Sequence, residues 1–136
     1  KMASMALGVN KLVIDPFNTD IVYAGTTKGL FKTSNKGEFW SKIQGNFAEP
    51  YISSLVIDPS NTSHLYVGTS EGVFESKDGG EIWSPRQEGL RNLNIRTLAM
   101  DPLNFQILYC GTNGGGLYKS EDAGNSWMPI PLKLVS

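Results

Sequence analysis

The octapeptide "SKDGGEIW" at residues 76–83 has two variants elsewhere in the chain, "TSNKGEFW" at residues 33–40 and "SEDAGNSW" at residues 120–127. Each octet contains a hydroxyl residue, an aspartate or asparagine, a glycine and a final tryptophan. A unique chemical site would occur once, whereas a structural element recurs in every unit of a repeat protein. We therefore interpret the octets as architecture.

A longer repeat surrounds the octets. Asp58 lies 43 residues after Asp15 and 43 residues before Asp101. Each unit holds four short runs rich in Val, Ile, Leu and aromatic residues, separated by Gly, Asp-Pro and Asn, and none has the period of a helix. Four-stranded units of about 40 residues are typical of β-propeller blades. The sequence thus predicts an all-β chain of three four-stranded antiparallel blades, at residues 9–51, 52–94 and 95–136. We expect the tail at residues 1–8 to derive partly from an expression vector.

The position of each octet, between the third and fourth strands of its unit, predicts a hairpin turn. The Asp or Asn side chain can accept hydrogen bonds from turn amides, the hydroxyl can bond across the hairpin, and the glycine suits a positive φ. The tryptophan is expected to be buried between adjacent blades. The residues in these roles are Thr33, Asn35, Gly37 and Trp40; Ser76, Asp78, Gly80 and Trp83; and Ser120, Asp122, Gly124 and Trp127.

The pattern Ser/Thr-x-Asp-x-Gly-x-x-Trp resembles the Asp-box, also called the bacterial neuraminidase (BNR) repeat. The surrounding "L-x-I-D-P-x-N", "Y-x-G-T" and "G-L-F-x-S" are similar to blades of sortilin-like domains, xyloglucanase and sialidase propellers, and photosystem II assembly propellers. The first octet departs from the pattern at Asn35 and Phe39. Because such relatives include hydrolases, receptors and assembly factors, the resemblance implies a fold and not one function.

Three blades are too few for a closed ring, since propellers typically have 4 to 8. An open blade face would expose apolar side chains that a neighbouring blade normally covers. Either a second copy completes a six-bladed ring as a homodimer, or the missing blades belong to a longer chain. Because symmetric dimers are the commonest oligomers, we favour the homodimer.

Charge and composition limit the kinds of partner that the chain is expected to bind. The formal net charge of −1 argues against nucleic-acid binding, and no apolar run is long enough to span a membrane. The single Cys110 excludes a disulfide framework, and we interpret it as a small buried hydrophobe. His64, the only histidine, has no partner motif and is interpreted as a surface or strand residue. No metal or cofactor is predicted, and the sequence does not indicate a cellular compartment.

A catalytic role is disfavoured by the short connections between strands. The family resemblance implies that hydrolases of this kind build their clefts from long loop insertions, and no blade of this sequence contains one. Glycosidases need two carboxylates flanking a cleft, whereas most aspartates here belong to the repeated turns. Arg86, Arg91 and Arg96 are all expected within one connection and not one per blade, so a sialidase-like arginine cluster is weakly supported. We hypothesise a non-catalytic scaffold that binds a carbohydrate, peptide or protein on the face formed by the connections between blades. The candidate ligand-binding residues are Phe47, Glu49, Tyr51, Glu88, Leu90, Arg91 and Asn92.

Two alternatives remain at this stage. The chain could be a fragment of a glycoside hydrolase propeller of the xyloglucanase or sialidase type, with Glu49 or Glu88 as catalytic carboxylate. It could also be a propeller assembled from pieces that has no native ligand.

Overall fold

The computed structural model describes residues 7–44, 51–133 and 135. Within these residues the chain forms three antiparallel sheets, each with four strands that neighbour one another in chain order. Blade 1 comprises β1 (Val9–Ile14), β2 (Val22–Thr26), β3 (Gly29–Thr33) and β4 (Ser41–Lys42); blade 2 comprises β5 (Ile52–Ile57), β6 (Leu65–Thr69), β7 (Gly72–Ser76) and β8 (Ser84–Pro85); blade 3 comprises β9 (Ile95–Met100), β10 (Leu108–Thr112), β11 (Leu117–Ser120) and β12 (Met128–Ile130). The predicted all-β class and the three four-stranded blades are confirmed.

The turn after the first strand of each blade is capped by its aspartate. The Oδ1 atom of Asp15 accepts hydrogen bonds from the amides of Phe17 and Asn18 at 2.9 and 3.1 Å. Asp58 and Asp101 accept equivalent amide bonds in blades 2 and 3. The proline after each aspartate has no amide to donate to a strand partner, so the strand ends there.

The octet turns lie between the third and fourth strands. Ser76 Oγ accepts the amide of Gly80 at 2.9 Å and donates to Asp78 Oδ1 at 2.8 Å. The same Oδ1 accepts the amides of Glu81 and Ile82, both at 3.0 Å. Gly80 has φ +102°, a left-handed conformation that a side chain would strain. Three groups of the octet therefore satisfy the backbone of one tight turn.

Adjacent sheets approach closely at a glycine of the second strand. A Cβ atom added to Gly25 would lie 2.6 Å from Ile52 Cγ2, and one added to Gly68 would lie 2.6 Å from Ile95 Cγ2. The first strand of each following blade thus packs directly on the second strand of the preceding blade. Both glycines lie one residue inside the end of their strand.

The octet tryptophans reinforce the same seams between blades. Trp127 of blade 3 donates its Nε1 hydrogen to Arg86 O of blade 2 at 2.8 Å, and its backbone amide donates to Glu88 O. Trp83 is 2% exposed and shares a core cluster with Tyr23 and Leu30 of blade 1. The expected burial of tryptophan between blades is confirmed at both seams. The fourth strands begin just after the tryptophan and not at it.

We predict that Gly68→Ala lowers the free energy of unfolding by about 1–3 kcal/mol, because the new methyl group overlaps Ile95. Gly111→Ala is the matched control, since the corresponding glycine of blade 3 has no following blade in the chain and its added Cβ would meet only Thr97 Cγ2, at 3.0 Å. Urea unfolding of dilute protein measures both. Equal losses for the two variants would contradict this account of the seam.

Candidate binding surfaces

The connection face is the surface formed by Tyr51 and residues 85–94, at the end of the blades where the first strands begin. Tyr51 is 46% exposed, and the side chains of Glu88 and Arg91 are also exposed. Phe47 and Glu49, two further candidates, lie outside the described residues. The described part of this face therefore offers one aromatic ring and two opposite charges to a ligand.

Two other candidates on the connection face serve mainly to hold it in place. Leu90 is partly buried against the core cluster shared by blades 2 and 3. Asn92 Nδ2 donates to Asn113 O at 3.2 Å, and Asn92 Oδ1 accepts the amide of Asn94 at 2.9 Å. These contacts anchor the connection on blade 3 and leave Glu88 and Arg91 in solvent.

The receiving face of blade 1 is an apolar surface against which no blade lies in the described part of the chain. It is lined by Leu7, Val9, Leu12, Ala24, Thr26, Phe31 and Trp40, around a groove of about 420 Å³. Val9 is 54% exposed and Leu12 is 59% exposed. Trp40 is half-buried, and its Nε1 donates to Gly37 O within its own turn.

The corresponding positions of blade 2 are covered. Ile52 and Leu55, which align with Val9 and Leu12, are both fully buried, and Trp83 aligns with Trp40. Blade 1 itself covers these residues, because Ile52 lies on Gly25. The receiving face of blade 1 is therefore the same surface that blades 2 and 3 bury against their predecessors.

The outward face of blade 3, formed by Ile107, Tyr109, Leu117, Lys119 and Ile130, is open in the opposite direction. Tyr109 and Leu117 are half-buried there. The corresponding residues of blade 1, Tyr23 and Leu30, are 2% and 0% exposed because blade 2 covers them. The described residues thus present two complementary blade surfaces, one of each kind.

A polar seam of Asp58, His64, Glu75 and Arg86 lies where blade 2 meets blade 3. His64 contacts Asp58 Oδ2 through Nδ1 at 3.0 Å and Glu75 Oε2 through Nε2 at 2.5 Å. Arg86 Nε donates to Glu75 Oε1 at 2.7 Å, and the Glu75 side chain is only 4% exposed. Two buried carboxylates and two cationic groups therefore compensate one another, which a buried charge requires.

Protonation of the polar seam follows from these contacts. The hydrogen bond to Glu75 raises the pKa of His64, and the bond to Asp58 adds to this against the opposing effect of burial. Burial alone would raise the pKa of Glu75, but hydrogen bonds from His64 and Arg86 outweigh it and lower the pKa to about 2. Both ring nitrogens of His64 face carboxylate oxygens, an arrangement that favours the imidazolium form, which can donate from both.

The partners of His64 were missed by the sequence interpretation, which found no partner motif and interpreted it as a surface or strand residue. A signal was present in the repeat itself. Where blade 2 has His64, Glu75 and Arg86, blade 1 has an isoleucine, a lysine and an isoleucine, and blade 3 has the same three types. Three simultaneous polar changes in one unit indicate that their side chains meet.

No further chemical centre is built by the described residues. They contain no group of three or more His, Cys, Asp or Glu side chains that could hold a metal ion. Arg86 is engaged by Glu75, so it does not join Arg91 and Arg96 in a free arginine cluster. Cys110 is 1% exposed, and burial raises its pKa to about 12, which agrees with the expected small buried hydrophobe.

Among residues 7–44, 51–133 and 135, the structure contains no helix with the length and hydrophobicity of a membrane span.

We predict that stability is greatest between about pH 4.5 and 6.5, the ordinary pKa values of Glu and His. The contribution of His64 is complete below its unfolded pKa and is lost as the pH rises through its raised folded pKa. The contribution of Glu75 is complete above its unfolded pKa and is lost as the pH falls towards 2.

Urea midpoints from pH 3 to 9 measure this profile. Since the chain has one histidine, His64→Gln is the matched control and should remove the decline above neutral pH. A wild-type midpoint that stays constant from pH 6 to 9 would contradict the charged seam.

Comparisons with known proteins identify similar folds among solved structures. The sequence matches no protein family and no curated protein. Among solved structures, the chain is similar to the GH74 enzyme of Niastella koreensis, with 25% identity and a TM-score of 0.72 over 91% of this chain and 22% of that one. It is also similar to the GH74 xyloglucanase of Xanthomonas campestris, with 19% identity and a TM-score of 0.71 over 93% and 24% of the two chains.

YCF48 bound to D1 peptide is a third similar structure, with 16% identity and a TM-score of 0.66 over 89% of this chain and 40% of that one. This chain thus spans less than half the length of each of these relatives. The predicted likeness to xyloglucanase and photosystem II assembly propellers is confirmed at the level of fold, while the assignment of the octets to the Asp-box remains a prediction. The chain has the fold of three consecutive β-propeller blades.

Proposed function

We propose that this chain is a non-catalytic β-propeller scaffold that self-associates through its two open blade surfaces and binds a ligand on the connection face. One observation carries the self-association. Leu12 on the receiving face of blade 1 is 59% exposed, whereas Leu55 at the same position of blade 2 is fully buried by a preceding blade. The receiving face therefore has the apolar side chains of a surface that is buried elsewhere in the chain.

A second copy supplies the missing surface. The outward face of blade 3 repeats the tyrosine and leucine that blade 1 buries against blade 2. Two chains joined head to tail through both pairs of open faces contain six blades, which is within the usual range for a closed ring. Both seams are then related by a two-fold axis, the commonest symmetry of oligomers.

Ligand binding is assigned to the connection face because the side chains of Tyr51, Glu88 and Arg91 are exposed there. An exposed tyrosine can stack on a sugar ring or a peptide side chain, and Glu88 and Arg91 can form charged hydrogen bonds. In the ring, two copies of this face lie around one axis. The similar structures include one with a bound peptide and one xyloglucanase, which supports a peptide or a carbohydrate as ligand.

A glycoside hydrolase propeller is the alternative function. The observation that favours it is the likeness to two GH74 enzymes, of whose length this chain covers 22% and 24%. In that case the chain corresponds to a set of blades from a larger propeller, and its open faces are covered by the remaining blades. The fold accommodates both functions, so activity has to separate them.

Self-association predicts a solution mass of twice the 14.9 kDa chain mass by light scattering at micromolar concentration. Leu12→Glu should return the chain to a folded monomer, because it places a charge in the covered seam. Leu103→Glu is the matched control, since Leu103 is 94% exposed in a turn away from both open faces. A wild-type chain that is a stable monomer would overturn the proposal.

The ligand proposal predicts binding to a glycan or peptide array without turnover. Release of reducing sugar from xyloglucan measures the alternative. Activity that is abolished by Glu88→Gln or Glu49→Gln, and retained in Glu71→Gln at an exposed turn of blade 2, would establish the hydrolase instead.

A further inference from the structure

The outward surfaces of the three blades are of two chemical kinds. At three equivalent positions blade 1 has Ile21, Lys32 and Ile43, and blade 3 has the same residue types at 107, 119 and 130. Blade 2 has the histidine, glutamate and arginine of the polar seam at these positions. Blades 1 and 3 therefore present one kind of surface, and blade 2 presents another.

The octet turns that pack against these surfaces also differ, at the residue after the octet glycine. The residue after the octet glycine is Glu81 in blade 2, which receives the lysine-bearing surface of blade 1. It is Asn125 in blade 3, which receives the surface containing Glu75. Within the chain, the lysine-bearing surface of blade 1 thus meets a glutamate at this position, and the surface that contains Glu75 meets an asparagine.

Contacts at the seam between blades 1 and 2 show how the lysine-bearing surface is received. Lys32, Ile43 and Glu81 line one cleft of about 420 Å³ at this seam. A Cβ atom added to Gly80 would lie 3.2 Å from Ile43 Cδ1, so the isoleucine lies against the octet glycine. Lys32 and Glu81 carry opposite charges on the lining of this cleft, which favours this pairing over a like-charged one.

The open turn of blade 1 carries the glutamate version. Its octet reads Gly37-Glu38, matching Gly80-Glu81 of blade 2, and Glu38 is exposed. The open outward surface of blade 3 carries the lysine version. In the single chain, Lys119 Nζ lies 3.2 Å from Glu121 Oε2 of the same blade, and the lysine side chain is partly exposed.

We infer that the partner surface of the receiving face of blade 1 is the outward face of blade 3 in a second copy, with Lys119 opposite Glu38 and Ile130 against Gly37 and Trp40. This inference rests on the proposed self-association and specifies its contacts. The closing seam then repeats the seam between blades 1 and 2. The polar seam stays inside each chain, so the blades follow one another in a single order around the ring.

Charge reversal tests the pairing. Glu38→Lys or Lys119→Glu alone should weaken association about tenfold or more at low salt, because each places like charges at both closing seams. An equimolar mixture of the two variants should recover association to within a few fold of wild type, since one seam of the mixed dimer is native and the other has its charges exchanged. Sedimentation velocity over a concentration series measures both effects.

Glu71→Lys and Lys28→Glu are the matched controls, because both residues are exposed in turns at the opposite end of the blades. Circular dichroism establishes that every variant is folded. A dimer that is sensitive to Leu12→Glu, yet responds to Glu38→Lys and Lys119→Glu no more than to the controls, would overturn the inferred pairing alone. A wild-type chain that never associates would overturn the proposed function itself.

Discussion

The structure depends on one contact, between a glycine in the second strand of a blade and an isoleucine in the first strand of the next. A Cβ atom at Gly25 or Gly68 would lie 2.6 Å from the isoleucine methyl group, so the two sheets are as close as a backbone without a side chain allows. This approach brings the octet tryptophan of the following blade onto the preceding one. Each blade is therefore stabilised mainly by its neighbour, as in other repeat proteins.

The same dependence explains why the two ends of the chain differ from its middle. Blade 2 has a neighbour on both sides and contributes most of the fully buried side chains, including Tyr66, Val67 and Val73. Blade 1 has apolar residues in solvent on one side, and blade 3 has them on the other. The octet turns lie at one end of the blades, and the connection face, with the exposed side chains of Tyr51, Glu88 and Arg91, lies at the other end.

Much of the fold could be predicted from the sequence because its signals are local and repeated. An aspartate before a proline and an octet that ends in tryptophan report directly on turns, and three copies of each reveal the blades. The close-approach role of Gly25 could not be predicted, because its partner Ile52 belongs to the next blade. The partners of His64 were missed for a related reason: Glu75 lies on β7, and Asp58 lies at the other end of the turn that joins β5 to β6. On the connection face, the packing of Leu90 depends on blade 3, which no local pattern reports.

Protection of the receiving face in solution is the most direct measure of whether a second copy covers it. In a Leu12→Cys variant the new thiol replaces a side chain that is 59% exposed in the single chain, while the other thiol, Cys110, is buried. The account predicts that thiol labelling of this variant slows markedly as the protein concentration rises, and that labelling of a Leu103→Cys control does not. A labelling rate for Leu12→Cys that is independent of concentration would contradict it.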